Sequence, residues 1–75
     1  MQTIIFNTAK KQIKLLDGPR DNARVLETFE NVSTVRVEVN YYEVMQKIST
    51  EEDAKSIPVM RVPISSTNMI LIHEK

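Results

Sequence analysis

Two prolines, Pro58 and Pro63, punctuate the stretch "IPVMRVPISSTNMILI" (residues 57–72) and set the tightest limit on how this chain can fold. Proline has no N–H to give to a ladder, so within a sheet it belongs at strand ends, edges or bulges. The two are separated by an odd number of positions. Along an unbroken strand their missing donors therefore point to opposite sides, and the strand is not simply an edge with both prolines turned outward. The arrangement that accommodates both puts Pro58 near the start of a strand and Pro63 near its finish, with "VMRV" making the central ladder. The polar break Ser65-Ser66-Thr67-Asn68 and a second apolar run then predict a hairpin.

Residues 41–48, "YYEVMQKI", read two ways. Tyr41, Val44, Met45 and Ile48 would line a helix, whereas Tyr42 and Val44 alternate with Tyr41, Glu43 and Met45 as in a strand. Pairing arithmetic favours the strand. If Tyr42 lies opposite Val62, then Val44 meets Met60 and Glu43 meets Arg61, an opposite-charge pair. If Ile64 then pairs with Asn68, Val62 meets Ile70 and Met60 meets Ile72. One face becomes Tyr42, Val44, Met60, Val62, Ile70 and Ile72, and a slip of one residue would scramble it.

The rest of the chain supplies further elements. "TIIF" (3–6) is β-branched and aromatic and predicts a strand. In "KQIKLLDG", Ile13 and Leu15 alternate with Lys14, predicting a second strand in a hairpin with the first; a helix over Thr8–Leu16 is the rival. "DGPRDNARVLETFEN" has a cap at Asp17 or Gly18, Pro19 at a first helical position, and a stripe of Val25, Leu26 and Phe29 beside Ala23. It predicts a helix over 19–30 with Arg20, Arg24 and Glu27 outward and Asn31 as its stop. In "STVRVEV" (33–39), Val35, Val37 and Val39 share one face of a half-buried strand. "STEEDAKS" (49–56) is a solvated loop. The expected fold is one α+β domain, residues 1–75. It has two layers: an antiparallel sheet of four or five strands, ending in a β-meander, and one main helix, in the order ββαβββ.

A chain of 75 residues buries only about 60% of its unfolded surface, and its stability is expected at roughly 4–11 kcal/mol. Without cysteine there is no disulfide and no thiolate, which fits a reducing compartment. Without a staple, the apolar core must carry the fold, or a second copy must help it. The single His73 makes a structural metal site an unfavourable expectation. Ten basic and ten acidic residues cancel, which removes any general pull toward nucleic-acid phosphates. The one glycine, Gly18, excludes the glycine loops that cradle nucleotides. "MQTIIFNTAKK" lacks the charged start and apolar length of a signal peptide, and no run approaches the roughly 20 apolar residues of a membrane span. The expectation is a soluble cytoplasmic protein.

"SIPVMRV" followed by "NMILI" resembles, over about a quarter of the chain, the thioredoxin-like and glutaredoxin-like element in which an Ile-Pro opens a strand beside the substrate groove and a hairpin follows. The resemblance implies that local geometry only. The redox cysteines of that family are absent, so it implies no redox function.

The chemistry legible in the sequence is sparse. His73 shares a face by parity with Met69, Leu71, Arg61 and Glu43 on an open sheet, where a catalytic base would lack a pocket and a partner. Ser65, Ser66 and Thr67 are turn residues. The expectation is therefore a protein without enzymatic activity or cofactor. A nucleic-acid reading would use Lys10, Lys11 and Lys14, with Arg36 and Tyr41. Lysines on strands also serve as guards against edge pairing, and Tyr41 and Tyr42 face opposite ways. The favoured reading is a protein-interaction module of the adaptor, inhibitor or viral accessory type. Its contact surface would be the sheet face formed by Tyr41, Glu43, Met45, Val59, Arg61, Met69 and Leu71, and its partner another protein or a second copy in a homodimer.

Overall fold

The computed structural model describes residues 1–19 and 22–73. Seven strands follow one another: β1 (Gln2–Asn7), β2 (Gln12–Asp17), β3 (Arg24–Phe29), β4 (Val32–Val37), β5 (Tyr41–Lys47), β6 (Ser56–Pro63) and β7 (Thr67–Ile72). They form two sheets, one ordered β3-β2-β1-β7 and the other β4-β5-β6. The only helical element longer than one residue, among those described, is the 3-10 turn Ile64–Ser66. The chain is thus nearly all β, which overturns the α+β expectation.

The predicted helix over 19–30 is the main casualty. Arg20 lies outside the described residues, while Arg24–Phe29 form β3 and pair antiparallel with β2. Val25, Thr28 and Phe29 are good strand formers. An isolated helix of this length is marginal in water, and the open side of β2 offers a ladder instead. Leu26, expected in a buried stripe, is 39% exposed, and Val25 is more so. The ladder shifts where Leu15 faces Glu27 and Leu16 faces Val25, which makes Leu26 an extra, bulged residue.

The β1–β2 hairpin forms as the sequence implies. Asn7 Oδ1 accepts the Lys10 N–H at 3.0 Å, and Lys11 takes the left-handed φ of 53° that closes the turn. At the end of β3 the chain changes sheets at Asn31, whose φ is 55°. The corner is pinned on both sides: Val32 N–H donates to the Lys11 carbonyl at 2.8 Å, and Lys47 N–H to the Asn31 carbonyl at 3.0 Å. Asn31 Nδ2 adds bonds to the carbonyls of Lys47 and Ser49. A strand that turns a corner this way joins two sheets without a long loop.

The core lies between the sheets. Ile4, Phe6, Ile13 and Leu15 come from one, Val32, Val44 and Val62 from the other. Phe29, Val35, Tyr42, Val59, Met60 and Met69 close its rim. Each fully buried aliphatic contributes about 1.5–3 kcal/mol relative to exposure. Val35 packs inward as expected, but Val37 and Val39 are exposed because β4 ends at Val37. A bulge at Ser33 brings Val32 into the core instead.

The register read for β5 and β6 is the one observed: Tyr42 opposite Val62, Glu43 opposite Arg61, Val44 opposite Met60. The second hairpin is not. β7 leaves β6 and pairs in parallel with β1, Ile4 beside Met69 and Ile5 beside Ile70. The prolines explain this. A bulge at Val59 puts Pro58 opposite Met45 and Pro63 opposite Tyr41, positions four apart on β5. The bulge restores even spacing, so both missing donors fall on the same side of β6. Ile64 N–H donates back to the Asn40 carbonyl at 3.1 Å, so the preceding Pro63 nitrogen points away from β5. β6 is an edge with both prolines outward after all, and its far side cannot receive β7. With β7 in another sheet, the local likeness to a thioredoxin-type strand and hairpin also fails. No helix among the described residues is long and apolar enough to cross a membrane.

Ile13→Ala should lower unfolding free energy by about 2–5 kcal/mol, whereas Leu26→Ala should change it by under about 1 kcal/mol. Urea denaturation checks both, and equal costs would contradict β3 as an exposed edge strand.

Candidate functional site

The outer face of the three-stranded sheet carries one row of charge. Arg36 on β4, Glu43 on β5 and Arg61 on β6 are direct cross-strand partners. Glu43 Oε2 accepts the Arg61 Nε–H at 2.6 Å, and its Oε1 lies 3.8 Å from Arg36 Nη1. Arg36 Nη2 also reaches Glu38 at 3.1 Å. Although it points away from the core, Glu43 is only 4% exposed, because the two arginines lie over it. The Arg61 guanidinium stacks on the Tyr41 ring, 5.1 Å from its centroid. The hydrogen bond to Glu43, with the charges of Tyr41 and Glu43 nearby, raises the Arg61 pKa above its ordinary value. The arginine is thus charged at any physiological pH and held by one edge, Nε.

Of the seven residues expected to share a contact face, four do. Tyr41, Glu43 and Arg61 form the row just described, and half-buried Met45 follows Glu43 by two on β5, opposite Thr34 and Pro58. The other three are placed elsewhere. Val59 packs on the core, because the bulge it occupies inverts its expected direction. Met69 packs on the core from the other sheet, opposite Ile4. Leu71 is exposed on β7, in that same other sheet. His73 follows β7 and contacts the Thr8 hydroxyl through Nδ1, away from Glu43 and Arg61. The nucleic-acid set is divided too. Lys10 and Lys14 border a hollow of about 270 Å³ with Asn7 and Gln12, and Lys11 sits in the β1–β2 turn, while Arg36 and Tyr41 lie on the other sheet.

The surface that sequence reasoning missed is the outer face of the four-stranded sheet. Ile5, Leu16 and Ile70, with Met1, Pro19 and Ala23, line an open hollow of about 670 Å³. Ile70, expected in the core, is 45% exposed, and Val25 beside Leu16 is 50% exposed. The signal was present in "TIIF" and "KLL". Adjacent apolar residues in a strand point to opposite faces, so Ile4 and Leu15 inward require Ile5 and Leu16 outward. Among the described residues, no three His, Asp or Glu converge in a way that would hold a metal ion.

Glu43→Ala should cost about 1.5–3 kcal/mol, the range for hydrogen bonds to charged groups, since it removes a buried side chain and leaves two guanidinium groups adjacent. Arg61→Ala should leave the domain folded. Chemical denaturation of the two variants decides it, and a neutral Glu43→Ala would mean that the row is a solvated surface pairing. Comparison with family models, curated proteins and solved structures gave no match for this chain.

Proposed function

We propose that this chain is a small interaction module without catalytic activity that binds another protein through the outer face of its four-stranded sheet. The observation that supports the reading is the uncovered apolar hollow of Ile5, Leu16 and Ile70, widened by exposed Met1 and Val25. Its size, about 670 Å³, lies within the usual range of about 300–1,000 Å³ for ligand sites, and it is open to solvent, where a protein side chain can dock. Contiguous apolar surface on a small domain marks interaction sites. Lys14 on the same face, opposite Thr28, gives the patch a polar rim. The Tyr41–Arg61 stack on the opposite side is a second anchor of the composition favoured at interfaces.

A photo-cross-linking residue in place of Thr3, directly opposite Leu16, is expected to give one protein adduct of defined mass in the source cells. Leu16→Asp and Val25→Asp should abolish that adduct while leaving the circular dichroism spectrum unchanged, because both side chains point away from the core. An adduct that persists in folded Leu16→Asp protein would overturn the reading.

A further inference from the structure

Two sheets of three and four strands leave four edges, and three of them are blocked. β3 carries a bulge at Leu26 with Arg24 and Glu27. β4 carries a bulge at Ser33 and the charged Arg36. β6 carries a bulge at Val59 and both prolines. Bulges, charges and prolines are the devices by which proteins stop edge-to-edge pairing. The fourth edge, β7, reads Thr-Asn-Met-Ile-Leu-Ile. It has no charge, no proline and no irregularity against β1 over its six residues. At its start the Thr67 N–H donates to the Ile64 carbonyl; beyond that, no backbone hydrogen bond among the described residues reaches its far side.

The direction of its free groups follows from one bond. The Ile72 carbonyl accepts the Thr8 N–H at 2.9 Å, on the β1 side. A residue's N–H and C=O leave a strand on the same side, and successive residues alternate. Asn68 and Ile70 therefore also face β1, while Met69 and Leu71 present their N–H and C=O groups outward.

We propose that β7 pairs antiparallel with β7 of a second copy, about a two-fold axis at Ile70. Such an axis requires one residue to sit opposite itself. With Ile70 there, Met69 lies opposite Leu71 of the second copy, and Leu71 opposite its Met69. Those are the residues whose donors and acceptors point outward, so both pairs exchange two hydrogen bonds. The side chains match as well. Ile70 meets Ile70 on the outer face, and Leu71, 58% exposed in the single chain, gains Met69 as a neighbour. Of the two neighbouring axes, the one at Met69 places Leu71 against Thr67 and Ile70 against Asn68, apolar against polar in both cases, and the one at Leu71 places Met69 against His73. The two four-stranded sheets become one sheet of eight, and the two apolar hollows, each bordered by Ile70, become neighbours. This pairing uses the edge rather than the face and does not depend on the docking reading above.

Sedimentation equilibrium should give twice the 8.7 kDa chain mass, with the Met69 and Leu71 amides gaining exchange protection as concentration rises. The chain has no cysteine, so single substitutions report the register. Ile70→Cys should oxidise to a covalent dimer, because opposite residues in a non-hydrogen-bonded pair have Cβ atoms about 4.5–5.5 Å apart, close to disulfide reach. Met69→Cys, which meets Leu71, should not. Leu71→Pro should give a folded monomer, since the N–H it removes faces outward, whereas Ile70→Pro should unfold the chain by breaking the β1 ladder. Monomeric mass at the highest soluble concentration overturns the proposal. So does a dimer that survives Leu71→Pro but is lost in Leu16→Asp, which would place the contact on the face.

Discussion

The bulge at Val59 decides the architecture. It brings Pro58 and Pro63 into phase, so both missing donors face away from β5 and β6 becomes a terminal strand. A third hairpin partner on that side would leave two of its carbonyls without donors, at roughly 1–3 kcal/mol for each buried group. β7 is thereby excluded from the sheet that its sequence neighbours build. The open side of β1 takes it instead, so a four-stranded β4-β5-β6-β7 meander does not form and the chain makes two sheets facing each other across a core. The same bulge turns Val59 inward, so one irregularity both terminates a sheet and fills the space behind it.

The two faces that the sandwich turns to solvent differ in chemistry. On the three-stranded side, Arg36, Glu43 and Arg61 form a cross-strand row in which a carboxylate is shared by two guanidinium groups and screened from water by them. On the four-stranded side the surface is aliphatic around Ile5, Leu16 and Ile70. The charged row balances its own charges, two guanidinium groups against Glu43 and Glu38, whereas exposed aliphatic surface gains free energy whenever something covers it. That asymmetry points to the aliphatic side as the one with unmet demand.

Much of the local structure was legible because alternation is a local signal. Ile13 and Leu15 around Lys14, and the pairing of Tyr42, Glu43 and Val44 with Val62, Arg61 and Met60, follow from period-two patterning and one charge match. The sequence predicts a helix over 19–30 because Val25, Leu26 and Phe29 fit a helical stripe and a strand edge equally well. The choice was made by the vacant side of β2, which no local pattern reveals. The site was half legible for the same reason. Tyr41, Glu43, Met45 and Arg61 belong to one hairpin, so alternation and one register bring them to a common face. Val59, Met69 and Leu71 depended on a bulge and on a partner strand over sixty positions away, with Gln2 beside Thr67.

That distant pairing has a kinetic consequence. β1 and β7 join at the greatest sequence separation in the fold, and loop closure on that scale must precede the contacts that reward it. The β1-β2-β3 and β4-β5-β6 meanders consist of local hairpins, which close at lower entropic cost. The parallel β1–β7 ladder is the costliest closure, and it completes the four-stranded sheet over the core. On the ribosome the vacant edge of β1 waits, unpaired, until residues 67–72 have emerged, and for that interval the nascent chain displays the same kind of sticky strand border that β7 presents once folding is complete.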